Sequence, residues 1–409
     1  MKRIKKREKW CKTRHKIIFW LLRGIIVPLS KALYKVKVDR FKEQGKRQYL
    51  IVYNHQTAFD QFFISMAFKR PVYHLATEDL FSNGFVSKII RYIVAPIPIK
   101  KQTTDMKAVL DCARVAKEGG TIALSPEGNR TFSGKTEYFK KSLVKLIRLV
   151  GLPIAVFKIH GGYGVQPRWS DVKRKGKMHA GVERVIEQNE YKSLSDDELY
   201  ELLKKELFVN EGQITDNFYH KKSAEYLERA MYVCPECGLS EFYSDKNLIF
   251  CKNCKTTAKY MPDKTLKGMG KPFPFKFVND WYEYQNAFIN NLDTLAFTDK
   301  PLYTDRACFK KVFLYKRKRT VSKNATVCLF GDKIVVKYKT KTDVTDFVMD
   351  FNDVSVVTVL GRNKVNVYHR DQVYQIKGDK RMNALKYVNI FYRTKYLKGE
   401  NEDAGFLGL

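Results

Sequence analysis

Two things are scarce in this sequence of 409 residues: carboxylates, and apolar stretches free of charge. Asp and Glu number 43 against 76 Lys and Arg, a formal net charge of +33. On a folded chain such an excess implies an anionic partner: nucleic acid, an acidic membrane surface or a phosphorylated substrate. No apolar run reaches the roughly 20 residues that a membrane-crossing helix needs. Long internal repeats and low-complexity tracts are also missing. A helix-turn-helix, RNP or C2H2 pattern is missing too, which weakens the nucleic-acid candidate. What is present is the composition of a globular protein, 44% hydrophobic and 13% aromatic. That excludes a disordered basic tail, and the length suits two or three domains.

Four of the eight cysteines form two CxxC pairs, Cys234/Cys237 and Cys251/Cys254, separated by 13 residues. Two such knuckles supply four thiolates for a closed tetrahedral site, so structural zinc in a ribbon is expected there. The spacing suits a reducing compartment better than a disulfide framework. Residues 1–16 hold nine Lys or Arg and one Glu, and Ile17–Leu29 is apolar apart from Arg23 and Gly24. Arg23 and the lack of a small-x-small cleavage site argue against a signal peptide. Thirteen residues are too short to span, so the reading is an interfacial helix, with Trp10 and Trp20 at headgroup level and a basic leader on anionic lipid.

From Tyr49 to about residue 185, β-rich runs alternate with helical patterns, which predicts an α/β region. The strands expected are Tyr49–Tyr53, Val94–Ile99, Thr121–Ser125 and Pro153–Ile159. The helices expected are Phe59–Phe68, Met106–Lys117, Lys140–Val150 and Asp196–Leu207, the last with Ser195 as N-cap. Residues 211–232 read as a connector with a helix near Ser223–Met231, and 263–302 as an aromatic-rich linker that belongs to a core. From 303 to 398, strands such as Ala325–Phe330, Lys333–Tyr338, Val354–Leu360, Val365–His369 and Gln372–Ile376 precede a helix at Asp379–Tyr392. That order suggests a small β-rich barrel of pleckstrin-homology (PH) type, capped by the helix.

Polar clusters follow the predicted strands, where α/β sheets bind ligands. His55 and Asp60 would sit about 140° apart on a continuous helix, so they meet only if His55 lies in a turn ahead of the helix. An Asp that accepts from one imidazole nitrogen leaves the other as a base. With no nucleophilic Ser or Cys in the pattern, the nucleophile would be a substrate hydroxyl. The competing reading is a capping pair without chemistry. Glu127-Gly128-Asn129-Arg130 offers close backbone approach and a planar cation for phosphate, and Lys100 and Lys101 offer further charge. Taken singly, each of these also fits an ordinary polar loop. His15, His74, His160, His179, His220 and His369 read as packing or surface residues.

In order, the chain shows Asn-His-x4-Asp, basic residues after Ile-Pro-Ile, Pro-Glu-Gly-x-Arg-Thr and Leu-Pro-Ile-Ala-Val. Over roughly residues 15–210 this resembles the glycerolipid acyltransferase family, of the 1-acylglycerol-3-phosphate acyltransferase type. The resemblance implies transfer of an acyl group from an acyl-CoA or acyl-carrier-protein thioester to a lysophospholipid acceptor. It implies His55 as base, Asp60 as its orienting partner, and Glu127, Gly128 and Arg130 at the acceptor's phosphate or glycerol. Lys101 stands where the family often has Arg, Lys100 where it often has an acid, and Thr57 and Thr131 where Ser is usual. The family's membrane-seated N-terminal helix pair fits residues 10–35.

The expected order is therefore a basic leader and membrane-interface helices at 1–35, the transferase at 36–210, the connector, a zinc ribbon at 233–262, the linker and the PH-like region. The expected location is the cytoplasmic face of the cell membrane, bound peripherally. Two other classes remain: a zinc-ribbon nucleic-acid-binding protein, and a lipid-binding scaffold with an inactive transferase region.

Overall fold

A computed structural model describes residues 8–99, 105–313, 316–340 and 343–400. They fall into two compact units. The first holds the described residues up to Gly128 with Phe139–His160 and Met178–Phe208. The second holds Asn129–Tyr138, Gly161–Lys177 and the described residues from Val209 onward.

In the first unit the elements run α1 (Thr13–Tyr34), β1 (Val36–Val38), β2 (Leu50–Tyr53), α2 (Asp60–Ala67), β3 (Val72–Thr77), α3 (Phe85–Ile93), β4 (Ile97–Ile99), α4 (Met106–Lys117), β5 (Thr121–Leu124), α5 (Ser142–Val150) and β6 (Ile154–His160). A short helix α6 (Gly162–Val165) belongs to the second unit, and β7 (Met178–Ile186), α7 (Gln188–Lys192) and α8 (Asp196–Leu207) return to the first. The strands form one sheet in the order β1-β7-β6-β2-β5-β3-β4. All neighbours are parallel except β6 and β7. Strands β2, β5 and β6 are buried almost end to end, as expected when helices cover both faces. Because β2 and β5 are parallel neighbours, their carboxyl ends deliver two motif loops side by side.

The α8 helix starts where the sequence places it. Ser195 Oγ accepts from Glu198 N at 3.2 Å and Glu198 Oε2 accepts from Ser195 N at 2.7 Å, a reciprocal capping box. Other expectations need correction. The strand expected at Val94–Ile99 is only Ile97–Ile99, because Val94 closes α3 and Ala95 has φ 42°. Strands β1, β3 and β7 were not expected. The N-terminal segment is one helix of 22 residues, not a pair, and by length and composition it is long enough to cross a membrane. The apolar core of 13 residues underestimates it because the helix continues through Pro28 to Tyr34. Trp10 is no headgroup anchor: its indole N–H donates to Ala95 O at 2.9 Å and it packs on the core.

The second unit continues with β8 (Val233–Cys234), β9 (Gly238–Leu239), β10 (Phe242–Asp245), β11 (Leu248–Cys251), β12 (Thr257–Tyr260), β13 (Leu266–Gly268) and α9 (Val278–Asn291). Then come β14 (Tyr303–Val312), β15 (Arg319–Leu329), β16 (Lys333–Lys339), β17 (Val344–Asp350), β18 (Val354–Leu360), β19 (Lys364–His369), β20 (Gln372–Gly378) and α10 (Leu385–Leu397). Strands β8 and β9 pair, β10–β13 form an antiparallel four-stranded sheet, and the last seven order as β17-β16-β15-β14-β20-β19-β18. Among the described residues no ladder joins β17 to β18, so this last sheet is open. One core runs through the unit and includes Trp281 and Tyr282 of α9, in keeping with the core role expected for the aromatic segment.

No α-helix forms at Ser223–Met231; only Leu227–Arg229 makes a 3-10 turn. Tyr226 there has φ 73°, a left-handed conformation that ends any helix passing through it. The last helix starts at Leu385 rather than Asp379, because Asn383 Oδ1 accepts from Leu385 N and Lys386 N at 2.9 and 3.1 Å and so caps it.

Candidate functional site

The loop after β2 places His55 and Asp60 against one another. His55 Nδ1 lies 2.7 Å from Asp60 Oδ2. His55 sits in the turn and Asp60 in the first residue of α2, the arrangement that the five-residue spacing requires. Asp60 is fully buried, and a buried carboxylate must be satisfied. Its oxygens accept from Gln56 N at 2.8 Å, Thr57 N at 2.9 Å and Thr57 Oγ1 at 2.6 Å. Thr57 therefore holds the carboxylate with both its backbone N–H and its hydroxyl. The carboxylate is fixed before it meets the imidazole.

The loop after β5 reaches the same place. Ser125-Pro126-Glu127-Gly128 closes as a turn, with Gly128 N donating to Ser125 O at 3.1 Å. Gly128 has φ 63°, and a Cβ there would meet nothing within 4 Å. The glycine is thus needed for its backbone conformation and not for space. Glu127 is buried, and its Oε1 accepts from His55 N at 3.1 Å. The acid expected at the acceptor thus also positions the histidine backbone. Burial pushes the phenol of neighbouring Tyr53 up, with the charges of Asp60 and Glu127 adding to it.

The first unit therefore gathers His55, Asp60, Glu127 and Gly128. Arg130 belongs to the second unit, and Lys100 and Lys101 lie outside the described residues. Two of the other histidines pair elsewhere: His160 with Glu183 at 2.5 Å and His179 with Asp39 at 2.6 Å.

Two residues carry structure around the motifs that pattern reading did not weigh. Asn54 bonds Ile159 at both its backbone groups, tying the His55 loop to β6. Arg168 is buried in the second unit and holds Asn129 and Arg130: its guanidinium donates to Arg130 O at 2.8 Å and Asn129 Oδ1 at 3.1 Å. It also donates to Gly361 O at 2.9 Å, beside β18. Burial, with Arg130 nearby, lowers the Arg168 guanidinium to about 9. The only sequence signal for Asn54 was its place in Asn-His-x4-Asp; for Arg168 there was none.

A cavity of about 140 Å³ lies in the first unit between α1, α2 and β3. Its wall is largely apolar, with Phe19, Leu22, Ile26 and Phe62, and it includes Gln61, which follows Asp60. His74 also lines it, with both ring nitrogens buried and without a partner among the described residues.

In the second unit Cys234, Cys237, Cys251 and Cys254 place their Sγ atoms within 4.8 Å of one another. The Cys234–Cys254 and Cys237–Cys251 separations are both 3.6 Å. Zinc–sulfur bonds of about 2.3 Å in a tetrahedron put sulfurs roughly 3.8 Å apart, so the four thiols fit such an ion. The residue after each knuckle, Gly238 or Lys255, turns left-handed at φ 72° or 62°.

The family model described as Acyltransferase matches residues 34–159, the stretch that holds His55, Asp60, Glu127 and Gly128. Over 149 residues, 35% of this chain, the sequence is 28% identical to the 1-acyl-sn-glycerol-3-phosphate acyltransferase of Borreliella burgdorferi. The aligned stretch spans 59% of that relative's length. Among solved structures, the chain is similar to the 1-acyl-sn-glycerophosphate (LPA) acyltransferase, PlsC, from Thermotoga maritima. That likeness has a TM-score of 0.41 at 23% identity and covers 47% of this chain and 78% of the other.

Proposed function

We propose that the chain transfers a fatty acyl group from an acyl-CoA or acyl-carrier-protein thioester to the hydroxyl of a lysophospholipid. The acceptor that the relative's name favours is 1-acylglycerol-3-phosphate, which would give phosphatidic acid. The observation that carries the reading is the 2.7 Å contact between His55 Nδ1 and the anchored Asp60 carboxylate. With Nδ1 held, Nε2 is the nitrogen that takes the acceptor's proton as its oxygen attacks the thioester carbonyl. The carbon–sulfur bond then breaks, and the thiol leaves with the proton from the imidazolium. Glu127, Gly128 and Arg130, with Lys100 and Lys101, are assigned to the acceptor. The apolar cavity beside Gln61 and Phe62 supports an acyl substrate.

In the same proposal, α1 lies on an anionic membrane surface at the cytoplasmic face. Its inner side is taken up by α2, which suits an interfacial helix better than a spanning one. The four cysteines hold structural zinc in a ribbon, which supplies no open coordination position and takes no part in the transfer. The final sheet with α10 is assigned as a PH-like region at 303–398, and 36–210 as the transferase. Incubation with a panel of lysophospholipids and both donor types, with products read by mass spectrometry, tests the function. Formation of phosphatidic acid from 1-acylglycerol-3-phosphate is expected; no acylated product from any acceptor would overturn it.

A further inference from the structure

Helix α1 is inverted relative to a surface helix of a water-soluble protein. One of its four cations faces inward: the Arg23 guanidinium donates to the carbonyls of Ser65, Met66 and Phe68, each at 2.6 Å, at the carboxyl end of α2. Its apolar side chains face outward, with Trp20 56%, Leu21 68% and Ile25 66% exposed.

Helix α3 repeats this inversion, and no sequence motif drew attention to it. Phe85, Ile89 and Tyr92 fall within about 60° of one another on a helical wheel, and they are 75%, 41% and 59% exposed. Ser87 faces inward instead, where its hydroxyl donates to Leu80 O at 2.7 Å and accepts from Asn83 N at 2.9 Å. The two helices are joined at their ends. Arg14 Nε donates to Tyr92 O at 3.3 Å, and its guanidinium lies 4.1 Å from the Tyr92 ring centroid.

We propose that α3 is a second lipid-contacting element, and that α1 and α3 together seat the first unit on an anionic phospholipid leaflet. This rests on the membrane reading of α1 and extends it. Charge selects the occupant. Neither helix contains a carboxylate, whereas α1 carries Arg14, Lys16, Arg23 and Lys31 and α3 carries Lys88 and Arg91. Apolar faces on helices whose own charges are all positive match acyl chains under anionic headgroups. A second copy would set one chain of charge +33 against another. Nine residues at 1.5 Å each give about 14 Å, so α3 lies in the interface and does not cross it.

The test is partition of the full chain onto vesicles of phosphatidylcholine with phosphatidylglycerol, beside phosphatidylcholine alone. Phe85→Glu/Ile89→Glu is compared with wild type, with circular dichroism confirming the fold. At least tenfold weaker partition of this variant onto anionic vesicles is expected, with little binding of either protein to the neutral ones. Partition equal to wild type would overturn the role of α3. So would a surface that the variant shows to mediate self-association rather than vesicle binding. If wild type binds neither vesicle, this inference and the membrane reading fall together. If wild type binds anionic vesicles but acylates no acceptor, the proposed function falls and this inference stands.

Discussion

Asn54 holds Ile159 by both ends of its amide: Nδ2 donates to the Ile159 carbonyl and Oδ1 accepts from the Ile159 N–H, each at 2.9 Å. The residue before His55 thereby continues the β2–β6 pairing with side-chain bonds where the backbone ladder stops. Asn54→Ala would leave two buried backbone groups unpaired, at a cost of about 2–3 kcal/mol. Urea unfolding should show that loss, with acyl transfer falling because the His55 loop is released. Unchanged stability would mean that the bonds are replaced by water.

Arg23 separates two accounts of α1. If the helix simply crossed the membrane, Arg23→Leu would improve it. The three carbonyl contacts predict the opposite: loss of the charge-assisted cap on α2 should lower stability by about 2–4 kcal/mol. Thermal unfolding in detergent-free buffer checks the direction. A more stable Arg23→Leu protein would contradict the inward orientation.

His74 sets a pH dependence. Burial lowers its imidazole from 6.5 to about 4. Between those values the unfolded chain binds the proton and the folded one does not, so stability rises with pH across this window. Acidification from pH 6.5 to 4 should therefore cost on the order of 3 kcal/mol through this residue. His74→Leu should remove that component, leaving a shallower stability profile than wild type over pH 4–6.5. Parallel profiles for the two proteins would contradict it.

The four cysteines predict about one zinc ion per chain, measured by elemental analysis of the purified protein. Removal by a strong chelator should expose the backbone amides of residues 233–268 to hydrogen exchange, because an ion shared by Cys234, Cys237, Cys251 and Cys254 would tie these short strands together. Protection unchanged on metal removal, or a metal content far below one, would contradict the assignment.

Much of the first unit was legible because its signals are local. The Ser195/Glu198 box fixes the start of α8, and apolar runs mark β2, β5 and β6. Strands β3 and β7 were not legible: His74 interrupts Val-Tyr-His-Leu-Ala-Thr, and Met178–Ile186 carries Glu183 and Arg184, so their strand character comes from neighbours in the sheet. The site divides in the same way. His55 and Asp60 lie five residues apart and could be paired on geometry. The partners of Asn54, Glu127 and Arg168 are 38 or more residues away in sequence. Arg23 was legible only as a break in an apolar run, since an isolated helix gives no sign that a cation faces a neighbouring helix end.

In the proposed reaction the His55–Asp60 pair performs base chemistry on a substrate hydroxyl. The most direct measurement is kcat for acylation of 1-acylglycerol-3-phosphate by His55→Ala and by Asp60→Asn, with unfolding and vesicle binding followed in parallel. The account predicts that His55→Ala folds, binds vesicles and loses at least about 10²–10⁴-fold in kcat. It predicts that Asp60→Asn loses less, because the imidazole remains. Turnover within a few-fold of wild type in a folded His55→Ala protein would contradict it.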